Sequence, residues 1–320
     1  MKLIILLLVW FGLFCPAGYS LGLTLKQAEE FFAQPREFEA TASDGKKYSY
    51  SAVDIYDFWQ KAGIIPEPIR KDSDIYLFDY NQEDEWYLKY PETKLYTEGN
   101  LKILRIGSSS GVVTSDYQYL FFRQSNGDWI YFDNIYSPYQ KYSAPQIEFL
   151  DDSLFYITQF AGSGTGVLRY NYRFFNIKEN RINELFSSLK EAYVSGWGMI
   201  FDRFIDSDLS YADNKLSLEY SIEVTANYVY LHDYGIEDVE EFRLFNTAKN
   251  IAFDYDGFVL ELDETKSQLT LDGLDRLFMS GERGFYLTFK SQFDALKESK
   301  GLCQEWFERF QQRLEKAEKD

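Results

Sequence analysis

The chain has 320 residues, of which 51 are acidic and 33 are basic, and its formal net charge is −18. A field of that sign repels polyanions, so it argues against nucleic acid and anionic lipid as partners and favours a basic protein or a cation. A chain of this length buries enough surface to fold without disulfide bonds, and it contains only two cysteines.

The first segment has the pattern of a secretory signal peptide. Residues 2–14 begin with a lysine and continue as an apolar run, which small residues follow. This run is much shorter than the roughly 20 residues of a membrane-spanning helix. We therefore expect residues 1–20 to be removed, leaving a periplasmic or extracellular protein without a stable membrane span. Acylation of Cys15 as a lipoprotein is the weaker alternative, because Phe14 stands where that route requires a small residue.

Small residues mark two cleavage sites for this signal. Gly18 and Ser20 stand at the third and first positions before one bond, and Ser20 and Gly22 stand at the same positions before another. Small side chains at these positions are what the processing enzyme accepts. The mature chain is therefore expected to begin at Leu21 or Leu23.

A helical lead-in is predicted over residues 21–70. Thr24 and Gln27 have the spacing of a capping box, and apolar residues recur at helical spacing until Pro35 ends the segment. A second capping signal at Ser51 precedes another apolar pattern. The sequence thus predicts two short helices before the main body.

The body, residues 71–289, has the alternation of an antiparallel β-sheet protein. Stretches rich in tyrosine, phenylalanine, isoleucine and valine alternate with turn residues every eight to twelve positions. We expect a meander of hairpins forming twisted sheets, and a propeller-like arrangement is the alternative. The representative hairpins turn at residues 81–84, 125–128, 178–180 and 254–257.

The chain closes with an amphipathic helical segment at residues 290–320. Its apolar residues form a stripe that includes Trp306 and Phe310, and charged residues occupy the other face. Cys303 lies on this stripe and is expected to be a small buried hydrophobe. Because no linker rich in proline, glycine or serine divides the body, we expect these helices to pack on the same domain.

Histidine and metal chemistry have little support in this sequence. His232 is the only histidine, which argues against multi-histidine metal centres and histidine-ligated haem. It lies before a glycine turn, where a surface histidine is the expectation and a general base the alternative. Residues 206–210 start like a calcium loop but lack its glycine and its glutamate. We predict no catalytic residue, no metal and no cofactor.

Two glycine-containing segments are the candidate ligand sites. Gly162, Gly164 and Gly166 follow an apolar strand, but a strand pattern rather than a helix comes next, so they do not form a phosphate-binding loop. A tight β-connection is the alternative to a ligand-lining loop. Trp197 stands between two glycines, where its ring is either a stacking surface or part of the core.

These observations favour an exported, non-catalytic binding protein with an acidic surface rich in aromatic residues, which make up 19% of the chain. The expected partner is a basic protein or a glycan. One alternative is a carbohydrate-active hydrolase using a carboxylate pair, although nothing in the sequence selects two acids. The other alternative is a structural component of the cell envelope.

Overall fold

A computed structural model describes residues 22–41, 45–54, 58, 62, 87–89, 91–108, 115–140, 145–164, 166–195, 199–227, 242–278 and 280–317. The described chain is mainly β, with antiparallel sheets and a helical segment at its C-terminal end, which confirms the predicted fold class. Residue contacts divide it into two compact units. The first comprises the residues up to Ala144 together with Glu179–Ile182, and the second comprises Pro145–Lys178 and Asn183–Asp320.

The described part of the first unit includes a helix, two sheets and a helical residue at Phe58. Its elements are helix α1 (Leu25–Phe32) and strands β1 (Arg36–Thr41), β2 (Lys47–Asp54), β3 (Tyr87–Lys89), β4 (Pro91–Glu98), β5 (Leu101–Ser108), β6 (Ser115–Ser125) and β7 (Asp128–Gln140). Strands β1 to β3 form a three-stranded antiparallel sheet, and β4 to β7 form a four-stranded one. In both sheets each strand pairs with its neighbour in sequence.

Helix α1 begins at the predicted capping box. The Thr24 hydroxyl accepts a hydrogen bond from the Gln27 amide, and the Gln27 side chain accepts one from the Thr24 amide. The helix buries Leu25, Ala28 and Phe32 in a cluster with side chains of β5 to β7. Its apolar face thereby gains the burial that so short a helix needs to be stable.

The second unit is built on an eight-stranded sheet in which each strand lies beside its neighbours in sequence. The strands are β8 (Ile147–Phe149), β9 (Leu154–Gly164), β10 (Val167–Lys178), β11 (Arg181–Val194), β12 (Phe201–Ala212), β13 (Lys215–Ala226), β14 (Arg243–Tyr255) and β15 (Leu260–Leu262). Helices α2 (Leu271–Phe278), α3 (Glu282–Thr288), α4 (Lys290–Ala295) and α5 (Leu302–Ala317) follow, with a 3₁₀ turn at Leu296–Glu298.

One face of this sheet and the C-terminal helices share an aromatic core. Alternate residues of β13, from Leu216 to Ala226, are buried in the same cluster as side chains of α3, α4 and α5. Trp306 of α5 stacks on Phe310 with ring centroids 5.3 Å apart, and its indole nitrogen donates to the Ile200 carbonyl at 3.0 Å. Because side chains alternate along a strand, the residues between the buried ones face the other side of the sheet.

Charged side chains, of which Arg203 is buried and Glu282 partly buried, also connect the helices to the start of β12. The Glu282 carboxylate accepts from the Ile200 amide at 2.7 Å and lies 3.0 Å from Arg313 Nε. Burial raises the pKa of Glu282 despite these partners. Arg203 donates to the Ser280 carbonyl at 2.8 Å, and burial lowers its pKa to about 10. These contacts therefore fix the end of the sheet where β12 begins to the C-terminal helical segment.

Two detailed predictions were wrong. Residues 51–54, predicted to start a second helix, belong to strand β2, where the alternation of Tyr48, Ser49, Tyr50 and Ser51 matches a strand. Strands were predicted through residue 289, but helices begin at Leu271. The described strands form antiparallel sheets of three, eight and four strands, as the favoured prediction of hairpins in sheets expects, and not the repeated four-stranded blades of the propeller alternative. The hairpin turn predicted at residues 81–84 lies outside the described part, and the predicted domain boundaries remain predictions.

Candidate functional site

An open concavity lies on the described surface of the second unit, on the sheet face opposite the aromatic core. It has a volume of about 370 Å³ and is lined by Phe204, Glu223, Thr225 and Arg243. Phe204 and Glu223 are opposite each other across β12 and β13, and Thr225 is opposite Arg243 across β13 and β14. Three neighbouring strands therefore supply its lining.

A pair of aromatic rings in contact, an exposed one of Phe204 and a half-buried one of Tyr193, borders this concavity. Tyr193 of β11 lies directly opposite Phe204 in the strand register, and the ring centroids are 4.5 Å apart at an interplanar angle of 30°. Phe204 is 43% exposed although it is a large apolar side chain. An exposed ring held on a rigid strand offers contact area at a small cost in ordering.

A charged pair closes the other side of the concavity. The strand register shifts between Val224 and Thr225, and such a bulge redirects the side chains next to it. Arg243 Nε lies 3.0 Å from Glu223 Oε1, and the two side chains are 60% and 33% exposed. This exposed pair contributes little to stability, so its main effect is to place a cation and an anion beside the rings.

Carboxylates continue the same face along the strands. Asp206 lies directly opposite Glu191, and Asp208 lies directly opposite Glu219. Like charges directly opposite on a sheet destabilise it, by about 0.2–1 kcal/mol for a cross-strand pair. Lys190 lies 3.7 Å from Glu191 and offsets part of this repulsion. We call Glu191, Tyr193, Phe204, Asp206, Asp208, Glu219 and Glu223 the acidic–aromatic face.

A buried amide–carboxylate contact supports the end of this face. Asn227 Nδ2 donates to Asp202 Oδ1 at 2.6 Å, and both residues are almost fully buried. Asp202 lies directly opposite Thr225, which lines the concavity. The backbone N–H of Asn227 also donates to the Ile200 carbonyl. These bonds fix the beginning of β12 against the end of β13, where the concavity lies.

The structure places the predicted glycines in a hairpin. Gly162 and Gly164 belong to β9, Gly166 lies in the turn before β10 with a φ of 75°, and the strand predicted after them is present. A Cβ built on Gly162 or Gly164 meets no atom within 4 Å, so close packing does not require glycine at either position. The Ser195 amide donates to the Gly166 carbonyl at 2.6 Å.

That contact brings Gly166 close to the chain segment that leads towards Trp197. Trp197 itself and His232 lie outside the described residues. Cys303 is partly buried and contacts the aromatic core, in keeping with its position on the apolar stripe. The structure thus leaves the ligand-binding assignment of Trp197 and the three glycines as a prediction.

Residues 206–210, which start like a calcium loop, lie within strand β12. Their side chains alternate between the two faces of the sheet and do not converge on one point. Among the described residues, no three histidine, cysteine or acidic side chains form a group that could hold a metal ion. The described helices also include none with the length and apolarity needed to cross a bilayer.

Sequence reasoning missed the residues that form the acidic–aromatic face. A signal for them exists in the alternation along β12, where Phe204, Asp206 and Asp208 must share one side of the strand. The alternation along β13 likewise places Glu219 and Glu223 together. The alternation does not predict the pairing register, which decides which residues of β12 and β13 lie opposite each other.

Comparison with known proteins adds no relative: family models, curated proteins and solved structures all gave no match. Any functional conclusion must therefore come from the chemistry of the site itself.

Proposed function

We propose that this chain is an exported, non-catalytic binding protein and that its contact surface is the acidic–aromatic face. The exposed Phe204 ring, held against the half-buried Tyr193 ring, is the observation that carries this proposal. Rings in contact on neighbouring strands are restrained, so binding costs them little conformational entropy. The concavity beside them gives a partner side chain a place to insert.

The charge of the face favours a basic protein as the partner. Two pairs of carboxylates oppose each other directly on this face, and bringing a cation between each pair relieves their repulsion. The chain as a whole has a net charge of −18, which steers a basic partner towards it. Affinity should therefore fall as the salt concentration rises.

A glycan is the second candidate partner. Sugar rings stack on exposed aromatic side chains, and the Thr225, Glu223 and Arg243 side chains beside Phe204 are of the kinds that hydrogen-bond hydroxyl groups. Binding to a neutral oligosaccharide would depend on Phe204 but only weakly on salt, because no charge on the ligand is involved. The salt dependence of binding therefore separates the two candidates.

Export rests on the N-terminal pattern and is compatible with the fold. The Leu23 carbonyl accepts a hydrogen bond from the Tyr131 amide at 2.8 Å. Cleavage before Leu21 or before Leu23 retains this carbonyl, so both proposed cuts leave the contact intact. N-terminal sequencing of the protein recovered from cell fractions tests this part: uncleaved material in the cytosol alone would contradict export.

Immobilised mature protein tests the binding function. We would capture partners from an envelope fraction with the wild-type chain and with the Phe204→Ala variant. The matched control is Phe258→Ala, which removes another exposed phenylalanine of the same unit. The proposal requires a captured protein or glycan that is reduced at least about fivefold by Phe204→Ala and retained by the control. Equal capture by both variants would refute the assigned surface.

A further inference from the structure

The spacing of charges on the acidic–aromatic face matches an extended polypeptide. Along β12, Phe204, Asp206 and Asp208 occupy alternate positions on one side of the strand. Alternate residues of an extended chain are about 6.6–6.8 Å apart. A second extended chain lying parallel or antiparallel to β12 therefore brings its own alternate side chains into register with these three positions.

Each of these three residues belongs to a row of side chains that face one another across neighbouring strands. The first row contains Tyr193, Phe204 and Glu223, and the second contains Glu191 and Asp206. The third row contains Asp208 and Glu219. One row thus presents aromatic rings, and the next two present facing carboxylates.

The first row differs from the others in its preferred ligand side chain. Arg243 already lies 3.0 Å from Glu223, so a second cation there would meet a positive charge. An aromatic side chain fits this row better, because it stacks on the Phe204 ring and inserts into the concavity. In the carboxylate rows, a lysine or arginine side chain between two facing carboxylates attracts both and relieves their mutual repulsion.

We propose that the acidic–aromatic face binds an extended polypeptide segment in which an aromatic residue is followed or preceded by two basic residues at alternate positions. This inference rests on the proposed binding function and adds the chemical class and the spacing of the ligand. The occupant is a segment of a basic protein, since the facing carboxylates supply the charge complementarity.

Peptide binding measured by fluorescence anisotropy tests the spacing. The first probe is a labelled peptide with the order Trp-Ser-Lys-Ser-Lys, together with its reverse, since the chain direction is not assigned. The comparison peptide is Trp-Ser-Ser-Lys-Lys, which has the same composition and charge but adjacent lysines. We expect the better of the alternating orders to bind about two- to fivefold more tightly, because exposed ion pairs are individually weak and the comparison peptide loses only the lysine that faces the second row.

Variants locate the effect on the face. Replacing Glu191→Gln and Asp206→Asn together removes the second row, and we expect the preference for alternating lysines to fall by at least half. The control replaces Glu298→Gln and Glu305→Gln, which are exposed and lie outside the face. Both double variants change the net charge by the same amount, so a loss confined to the first pair reports the local rows rather than the overall field.

The outcomes separate the two proposals. Tighter binding of an alternating peptide, reduced by the second-row variant and retained by the control, supports the inference. Equal binding of alternating and adjacent lysines, with sensitivity to Phe204→Ala, overturns the spacing but keeps the binding face. If neither peptide binds better than a version with glutamates in place of lysines, the basic-segment inference is overturned, whereas a glycan that still binds through Phe204 would leave the proposed function standing.

Discussion

Replacing Trp306→Phe should lower the free energy of unfolding of the second unit by about 2 kcal/mol. Trp306 is fully buried, and its indole nitrogen donates to the Ile200 carbonyl at 3.0 Å. The Ile200 carbonyl also accepts from the backbone N–H of Asn227, so it keeps one hydrogen-bond partner in the variant. Losing the indole hydrogen bond therefore lowers the free energy of unfolding by the net value of one bond, about 1 kcal/mol. The smaller ring leaves a cavity of roughly 40 Å³, which at about 24 cal/mol per Å³ adds about 1 kcal/mol.

Urea denaturation followed by circular dichroism measures this change without relying on the altered tryptophan. For a unit of this size we expect the melting temperature to fall by about 4–8 °C. Glu305→Gln on the exposed side of the same helix is the control and should change the stability by less than about 0.5 kcal/mol. If Trp306→Phe also changes it by less than about 0.5 kcal/mol, the helix–sheet core does not hold the start of β12 as described.

Three further predictions concern the described contacts. Thr24→Ala should destabilise the first unit by about 0.5–2 kcal/mol, because it removes the acceptor for the Gln27 amide, and Thr24→Ser should restore most of this stability in thermal melts. Tyr220→Phe should lower the unfolding free energy of the second unit by about 1–3 kcal/mol in urea titrations, because the buried Leu189 carbonyl loses its hydroxyl donor; an unchanged midpoint would contradict this. Burial raises the pKa of Asp151, but hydrogen bonds from the Tyr211 hydroxyl and nearby amides outweigh it and hold that pKa below its ordinary value. A lowered carboxyl pKa stabilises the fold above the unfolded-state pKa and loses this effect as the pH falls through the folded-state value, so the stability gap between wild type and Asp151→Asn should be constant above about pH 5 and close below about pH 4.

Local sequence signals predicted correctly the turns and helix caps whose conformation depends only on residues close together in the chain. The capping box at Thr24 and the turn at residues 125–128 are confirmed, and Asn126 and Gly127 adopt the positive φ angles such turns require. Alternation alone also established the antiparallel meander of the second unit. These features depend on neighbours within a few positions of the chain.

Predictions failed where short-range signals conflicted with tertiary packing. Ser51 resembles a helix cap but lies in β2, where Ser51 pairs with Glu37 of β1. Helices α2 and α3 contain Gly273 and Gly284, which weaken the helical pattern, and their stability comes from burying Leu277 and Phe285 in the core. Such burial is decided by distant parts of the chain.

The candidate site could not be predicted because it depends on strand register. Phe204 and Tyr193 are eleven positions apart and come together only through the pairing of β11 with β12. A shift of the strand register by one residue would turn the same aromatic and acidic side chains towards the opposite face of the sheet. The sequence therefore indicated an acidic, aromatic surface but not which acids and rings share one face.

Chemical-shift mapping of the isotope-labelled mature protein tests the assignment of the contact surface most directly. On addition of a lysine-rich peptide, we expect the amide signals of Tyr193, Phe204, Asp206 and Glu223 to shift together and to return as salt is added. Shifts confined to the helices α2 to α5, or spread evenly over all exposed acids, would contradict a specific role for the acidic–aromatic face.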